Sequence, residues 1–433
     1  MSITRIGFYT VIWLTYLFFI TAYTPLGSNW LEWHSQRIIN AVQYLELNGF
    51  FSSYGFTIWT DCIDCNLDKA NWQDKIYLST HGVSLAPYII LNYFLGYEGL
   101  QNYAHFIDKT AIFFTAVIIS ELSIIFFKKM GLPKLVIGVV IFVLFVANPW
   151  TYKMIIAGWT EIYFTLFFLL GVLVAIHQHI KFGLVLFFLA GLFNFIWTFA
   201  FIIFYLLLSF IPKLTKNKIV DSKNFFPISL NTNQEFVYLI PFFTSFALIL
   251  VLRTFASANF DIVSSSSFLE RIGISGTDIH NGGILGALQF LGGNRVTQCV
   301  YSYEESMITS NLNLGIEAYN CILSITSLLV LSLVSIAGTF VGSIKFPLLK
   351  KITAPFSFSL LFLLLFFQQS FSAHLMGYSY IFSIIFSFGI SYYFFNFISM
   401  KSNTSIRYIF ALPIFLGILI LCIRVSMLTG LNG

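Results

Sequence analysis

The leading candidate for a catalytic residue is Glu32, in the stretch Trp30-Leu31-Glu32-Trp33-His34-Ser35-Gln36-Arg37. Apolar residues at positions 38, 39, 42 and 45 follow helical spacing and predict an amphipathic helix lying along a membrane surface. A carboxylate at the start of such a helix is favoured by the helix dipole and could act as a general base towards a hydroxyl group. The alternative is structural, with Glu32 and Arg37 capping and anchoring the helix and Trp30 and Trp33 in the aromatic belt.

Two arginines and one histidine are candidates for binding a phosphate. Arg271 and Arg295 lie in a long polar segment, and Arg295 follows the pair Gly292-Gly293 and an apolar run too short to span a membrane. His374 lies in a polar interruption between two apolar runs, where Tyr378 could stack on a sugar ring. Guanidinium groups bind phosphate bidentately, so Arg295 is a reasonable phosphate clamp. The alternative for all three cationic candidates is a side chain that only faces water.

Three cysteines, Cys62, Cys65 and Cys299, fall in the polar segments. An oxidising external compartment favours a disulfide, either between Cys62 and Cys65 or between one of them and Cys299. Unpaired thiols and a metal site stay open as alternatives, although no second ligand pair with zinc spacing accompanies the cysteines. The neighbouring acidic residues lack the spacing of a calcium loop, so a solvated face is favoured over a divalent-cation site. No cofactor is required by the sequence.

The composition restricts what kind of protein can carry these residues. Of 433 residues, 58% are hydrophobic and only 9% are charged, against roughly 25% charged residues in soluble domains. Apolar runs of about 20 residues recur, which is the length needed to cross a bilayer. A soluble enzyme, a disordered chain and a secreted disulfide scaffold are excluded, and the net charge of +5 needs no nucleic-acid partner. The sequence predicts an all-α polytopic membrane protein in contact with membrane lipids.

About eleven transmembrane helices are predicted, at 7–25, 108–127, 134–148, 161–177, 182–195, 196–211, 236–253, 321–343, 354–372, 376–398 and 408–428. Most lysines and arginines then fall in short loops on one side, which places the N-terminus in the cytoplasm. The other side receives two long external loops, 26–107 and 254–320. Glu121 lies inside the second span, where we expect a structural carboxylate with a partner.

We treat residues 1–433 as a single membrane domain, and residues 1–210 resemble the GT-C superfamily of integral-membrane glycosyltransferases. The resemblance rests on an acidic residue, Glu32, opening an external helix directly after span one. The segment from Tyr77 to Tyr97 resembles the external helix that precedes span two in those enzymes. Span three ends in Asn148-Pro149-Trp150, and Glu161 follows as a second acidic residue. Residues 211–433 are the variable C-terminal helices.

The resemblance implies a glycosyltransferase that uses a polyprenyl-phosphate-linked sugar as donor on the external face. Glu32 would act as catalytic base and Glu161 as a second acidic residue, while Arg37, Arg271, Arg295, His374 and Tyr378 would contact donor or substrate. The acceptor would be a glycan, a lipid or a protein in cell-envelope synthesis at a bacterial inner membrane. Two alternatives stay open. A polysaccharide polymerase, ligase or flippase would use the later external loop, and a secondary transporter would show two related halves.

Overall fold

The computed structural model describes residues 2–23, 29–58, 76–157, 160–215, 237, 239–259, 312–366, 375–399 and 404–430. Its helices are α1 (Ile3–Tyr23), α2 (Asn29–Asn48), α3 (Ala86–Phe127), α4 (Lys134–Val146), α5 (Pro149–Ala157), α6 (Thr160–Ile176), α7 (Ile180–Phe193), α8 (Phe195–Thr215), α9 (Leu239–Asn259), α10 (Leu312–Lys345), α11 (Pro347–Phe366), α12 (Leu375–Ser399) and α13 (Thr404–Gly430). Each predicted apolar span overlaps one of these helices.

Three segments of the described chain are long and apolar enough to cross a membrane: Phe106–Met130, Leu239–Asn259 and Tyr380–Ser399. Their length matches the thickness of a hydrocarbon core at 1.5 Å rise per residue. The chain is therefore predominantly helical and compatible with membrane insertion. The total of about eleven spans and the GT-C-like arrangement stay predictions.

A small two-stranded antiparallel sheet, which the sequence did not predict, accompanies the helices. Strand β1 (Phe56–Ile58) pairs with β2 (Ile76–His81), with Thr57 opposite Tyr77 and Ile58 opposite Ile76. Aromatic and β-branched residues fit the pleated surface of a sheet, which explains the strands. The predicted helix from Tyr77 to Tyr97 is wrong in its first part, because the chain is extended to His81 and becomes α-helical only at Ala86.

Contacts divide the chain into two compact units that interleave in sequence. The first unit contains Met1–Leu26, Ala116–Lys153 and Arg271–Gly433, and the second contains Gly27–Thr115 and Met154–Glu270. We call them the terminal unit and the loop unit. The loop unit holds α2, the β1–β2 sheet, α6 to α9 and the first part of α3. The single membrane domain stays a prediction.

In the terminal unit, helices α10 and α12 approach each other closely where their side chains are small. A Cβ atom added to Gly389 of α12 would lie 2.0 Å from the backbone oxygen of Ser335 in α10. At the same interface Thr339 Oγ1 donates a hydrogen bond to the Ile385 carbonyl at 2.8 Å. Small residues and hydroxyl hydrogen bonds are the usual means by which helices approach each other in membranes.

Within each unit, side chains at or near the ends of several helices contact one another. The Phe127 ring, at the end of α3, contacts the rings of Phe346 and Phe395 near the ends of α10 and α12. In the loop unit, Asn259 at the end of α9 donates a hydrogen bond to Tyr54 Oη at 2.8 Å. The sides of the membrane on which these helix ends lie stay predictions.

Candidate functional site

The helix predicted from Glu32 onwards is α2, and Glu32 lies in its first turn. The side chains of Ile38, Ile39 and Val42 are 5%, 3% and 1% exposed, so the apolar face predicted from their spacing is confirmed. That face packs within the loop unit against β1 and the 3₁₀ turn Gly82–Leu85. The expectation that it rests on the membrane surface is wrong, since protein covers it. Arg37 is half-buried on the same helix.

Glu161, the second predicted acidic residue, is buried in the first turn of α6. Its Oε1 atom accepts a hydrogen bond from Asn194 Nδ2 at 3.0 Å. Asn194 separates α7 from α8, and its Oδ1 atom caps α8 by accepting from the Trp197 backbone N–H at 3.1 Å. The predicted break within 182–211 is therefore present at Asn194, and Glu161 is hydrogen-bonded to the residue at the break.

Asp108, which sequence reasoning treated only as the first residue of a span, is the centre of a second buried polar group. The phenol hydroxyls of Tyr88 and Tyr163 donate hydrogen bonds to Asp108 Oδ1 at 2.5 and 2.7 Å. All three side chains are no more than 4% exposed. Burial, followed by the nearby Asp108 charge, raises the pKa of the Tyr88 phenol well above its usual value, so Tyr88 keeps its proton and acts as donor.

The hydrogen bond between Tyr88 and Asp108 requires α3 to fold back. The two residues are 20 positions apart in one helix, and a straight helix would separate them by about 30 Å. Gly96 lies between them with φ 69° and ψ −176°, a conformation almost restricted to glycine. Gly96 therefore redirects the chain, so that Tyr88 in residues 86–95 lies next to Asp108 in the part of α3 that follows Gly96.

The hydrogen bonds that Asp108 receives from the described residues come from neutral donors. Lys109 is the next residue and is half-buried; its charge interacts with the Asp108 carboxylate, but the two form no direct ion pair. One turn beyond Tyr88, Asn92 Nδ2 donates a hydrogen bond to Glu46 Oε2 of α2 at 2.7 Å. Asn92 therefore links α2 to residues 86–95 of α3, and Tyr88 of the same residues is bonded to Asp108.

Glu121, in the terminal unit, has a different environment. Its carboxylate receives two hydrogen bonds from Arg5, Nε at 2.9 Å and Nη2 at 2.8 Å. Tyr9 Oη lies 3.5 Å from Glu121 Oε1, and the Tyr9 ring stacks on Phe142. A bidentate arginine satisfies a carboxylate in both charge and geometry. The predicted partner of Glu121 is therefore present, and its structural role stays a prediction.

The remaining predicted site residues fall where the structure gives no side-chain description. Arg271, Arg295 and His374 lie outside the described residues, as do Cys62, Cys65 and Cys299. Tyr378 belongs to α12 by its backbone alone. Within the described residues, no group of three or more histidine, cysteine, aspartate or glutamate side chains is arranged to hold a metal ion.

Comparison of the chain with protein-family models, with curated proteins and with solved structures gave no match. The functional argument consequently rests on the residues and geometry of the chain itself.

Proposed function

We propose that the protein is a membrane glycosyltransferase that moves a sugar from a polyprenyl-phosphate donor to an acceptor hydroxyl on the external face. One observation carries the proposal: the compact loop unit contains the helix opened by Glu32 together with the buried carboxylates of Asp108 and Glu161. Burying a carboxylate costs free energy because the charged group loses its hydration, so buried carboxylates are found mainly at functional sites. The setting we propose is a bacterial inner membrane with the N-terminus in the cytoplasm.

In this reaction the acceptor oxygen forms a bond to the anomeric carbon of the donor sugar. The bond between that carbon and the phosphate oxygen breaks, and the polyprenyl phosphate leaves with the bonding electron pair. Glu32 takes the proton of the attacking hydroxyl, because a carboxylate at the start of an external helix can reach an incoming acceptor. Arg37, Arg271, Arg295 and His374 are the candidates for stabilising the negative charge on the departing phosphate.

The buried carboxylates have a separate electrostatic role. Positive charge develops at the anomeric carbon as the phosphate leaves, and fixed negative groups in a low-dielectric site stabilise it. Asn194 donates a hydrogen bond to Glu161, and two phenols donate to Asp108. Each of these hydrogen bonds comes from a neutral group, which does not cancel the charge of a carboxylate. An arginine partner, as on Glu121, would neutralise such a charge and remove its effect.

The test is release of polyprenyl phosphate from a panel of polyprenyl-phosphate sugars by the purified full chain in native lipid extract. Glu32→Gln should lower turnover about 100-fold or more, because it removes the base and keeps the side-chain shape. Glu98→Gln, the same change at an exposed position of α3, should match the wild type. Turnover retained by folded Glu32→Gln protein would contradict the role of Glu32. Wild-type protein that consumes no donor with any acceptor class would contradict the donor class.

A further inference from the structure

Two acceptor oxygens in residues 86–127 receive no hydrogen bond from the described residues: the buried Asn92 Oδ1 and the second oxygen of the Asp108 carboxylate. Asn92 Oδ1 is buried and accepts no hydrogen bond, although Nδ2 of the same side chain is bonded to Glu46. Asp108 Oδ1 accepts two hydrogen bonds, whereas none from the described residues reaches Oδ2. Buried acceptors left without donors are costly, and a ligand that supplies donors relieves that cost.

The two acceptors belong to one place in the fold. Tyr88 and Asn92 are four residues apart in residues 86–95 of α3, so they share a helix face. Tyr88 is bonded directly to Asp108, which brings the Asp108 carboxylate to that face. The Tyr88 and Tyr163 rings meet edge to face with centroids 6.2 Å apart, and the hydroxyls of both rings are bonded to the carboxylate.

The chemistry of this group selects the ligand. The free positions of an amide oxygen and of a carboxylate oxygen accept hydrogen bonds from O–H or N–H donors, and no metal-ligand cluster is present among the described residues. Sugar hydroxyls are such donors, and aromatic walls pack against the carbon faces of sugar rings. We propose that Tyr88, Asn92, Asp108 and Tyr163 form a sugar-binding site, with Asp108 Oδ2 and Asn92 Oδ1 accepting from ring hydroxyls. Its assignment to a substrate sugar rests on the proposed function.

The decisive variant is Asp108→Asn. The amide keeps an oxygen for the two tyrosines and places an N–H₂ donor where Oδ2 accepts, so the shape is kept and the polarity of one atom is reversed. Binding is measured with the full chain in lipid nanodiscs against two sets of probes. Polyprenyl-phosphate sugars beside bare polyprenyl phosphate test a donor sugar, and soluble methyl glycosides test an acceptor sugar.

We expect Asp108→Asn to weaken binding of the sugar-bearing probe about 10-fold or more. The dissociation constant for bare polyprenyl phosphate should be unchanged, and Glu98→Gln should bind every probe as the wild type does. Whichever probe set responds identifies the source of the sugar. Equal binding of every sugar by the wild type and by Asp108→Asn would overturn the site, as would wild-type protein that binds no sugar in either set.

A second pair of variants keeps the test valid if Asp108→Asn fails to fold. Asn92→Leu deletes the unpartnered oxygen and also breaks the hydrogen bond to Glu46, whereas Glu46→Ala breaks the same hydrogen bond and leaves the oxygen in place. Asn92→Leu should weaken sugar binding by a further factor of about 5 relative to Glu46→Ala. Equal loss in both variants would overturn the role of Asn92 Oδ1. These readouts are binding constants, so they are distinct from the turnover that tests the proposed function.

Discussion

Glu121 and Asp108 are both carboxylates within helices of an apolar chain, but the two units of the molecule hold them in opposite ways. In the terminal unit, Arg5 supplies a full counter-charge to Glu121 through two hydrogen bonds. In the loop unit, the hydrogen bonds that Asp108 receives from the described residues come from phenols alone, and both fall on one of its oxygens. We infer that a carboxylate paired with arginine serves the fold, whereas a buried one bonded by neutral groups keeps acceptor capacity for a ligand.

The largest expected effect comes from removing the cation of the terminal unit. Arg5→Leu leaves Glu121 charged and mostly buried, and should lower the free energy of unfolding by about 3 kcal/mol. This free energy of unfolding is measured by titration with a denaturing detergent in mixed micelles with a mild one. The control is the double variant Arg5→Leu with Glu121→Leu, which should recover most of the loss because no lone charge remains. A double variant as unstable as Arg5→Leu would show that the ion pair is not the cause.

Removing the carboxyl group of the loop unit should be the next largest effect. Asp108→Leu leaves two buried phenol donors without an acceptor, at a cost of about 2 to 3 kcal/mol. Asp108→Asn should lose less than about 1 kcal/mol, since its oxygen still accepts from Tyr88 and Tyr163. The same unfolding assay compares the two variants. If the amide proved as destabilising as leucine, Asp108 would need its charge for folding, and the contrast with Glu121 would fail.

The fold-back that creates the site can be tested by Gly96→Ala. No atom lies within 4 Å of a Cβ atom at Gly96, so the change introduces no clash. It forces alanine into φ 69° and ψ −176°, which should cost about 1 to 3 kcal/mol. Gly417→Ala in α13 is the matched control, because its Cβ position is equally open and its backbone carries no positive φ. Similar stability of the two variants would mean that Gly96 does not impose the turn.

The smallest effect is expected for Tyr163→Phe. It deletes one of the two hydrogen bonds to Asp108 Oδ1 and leaves the ring contacts with Tyr88 and Phe193 in place. The expected loss is about 1 kcal/mol, measured by the same unfolding assay. A change of zero would show that Tyr88 alone holds the carboxylate.

The positions of the helices follow from the sequence because long apolar runs are local signals. The predicted runs at 134–148 and 376–398 correspond to α4 and α12 within a few residues. The sheet was missed because Phe56–Ile58 and Ile76–His81 are short and lie in a polar segment without clear alternation. Hydropathy also does not report what covers an apolar face, so the face of α2 was assigned to lipid when protein covers it.

The site was harder to predict because its contacts are distant in sequence. Tyr88 and Tyr163 lie 20 and 55 residues from Asp108, and no spacing rule joins them. One signal was present: Asp108 and Lys109 are adjacent at the beginning of an apolar run, and neighbours on a helix do not face each other. The sequence therefore indicated that Asp108 has a hydrogen-bond partner other than Lys109. Glu161 was selected beforehand through the resemblance to GT-C glycosyltransferases, as the acidic residue that follows Asn148-Pro149-Trp150.

The most direct test of the account compares Asp108→Asn with Glu121→Gln in one experiment. Both variants replace a carboxylate by its amide, at buried Asp108 and at partly buried Glu121. Each is assayed for donor turnover per folded molecule and for stability. The account predicts that Asp108→Asn loses about 10-fold or more of its turnover with nearly wild-type stability. Glu121→Gln should lose stability, by about 2 kcal/mol, and keep its turnover per folded molecule. Full turnover in Asp108→Asn, or loss of turnover in folded Glu121→Gln, would contradict the division between a functional and a structural carboxylate.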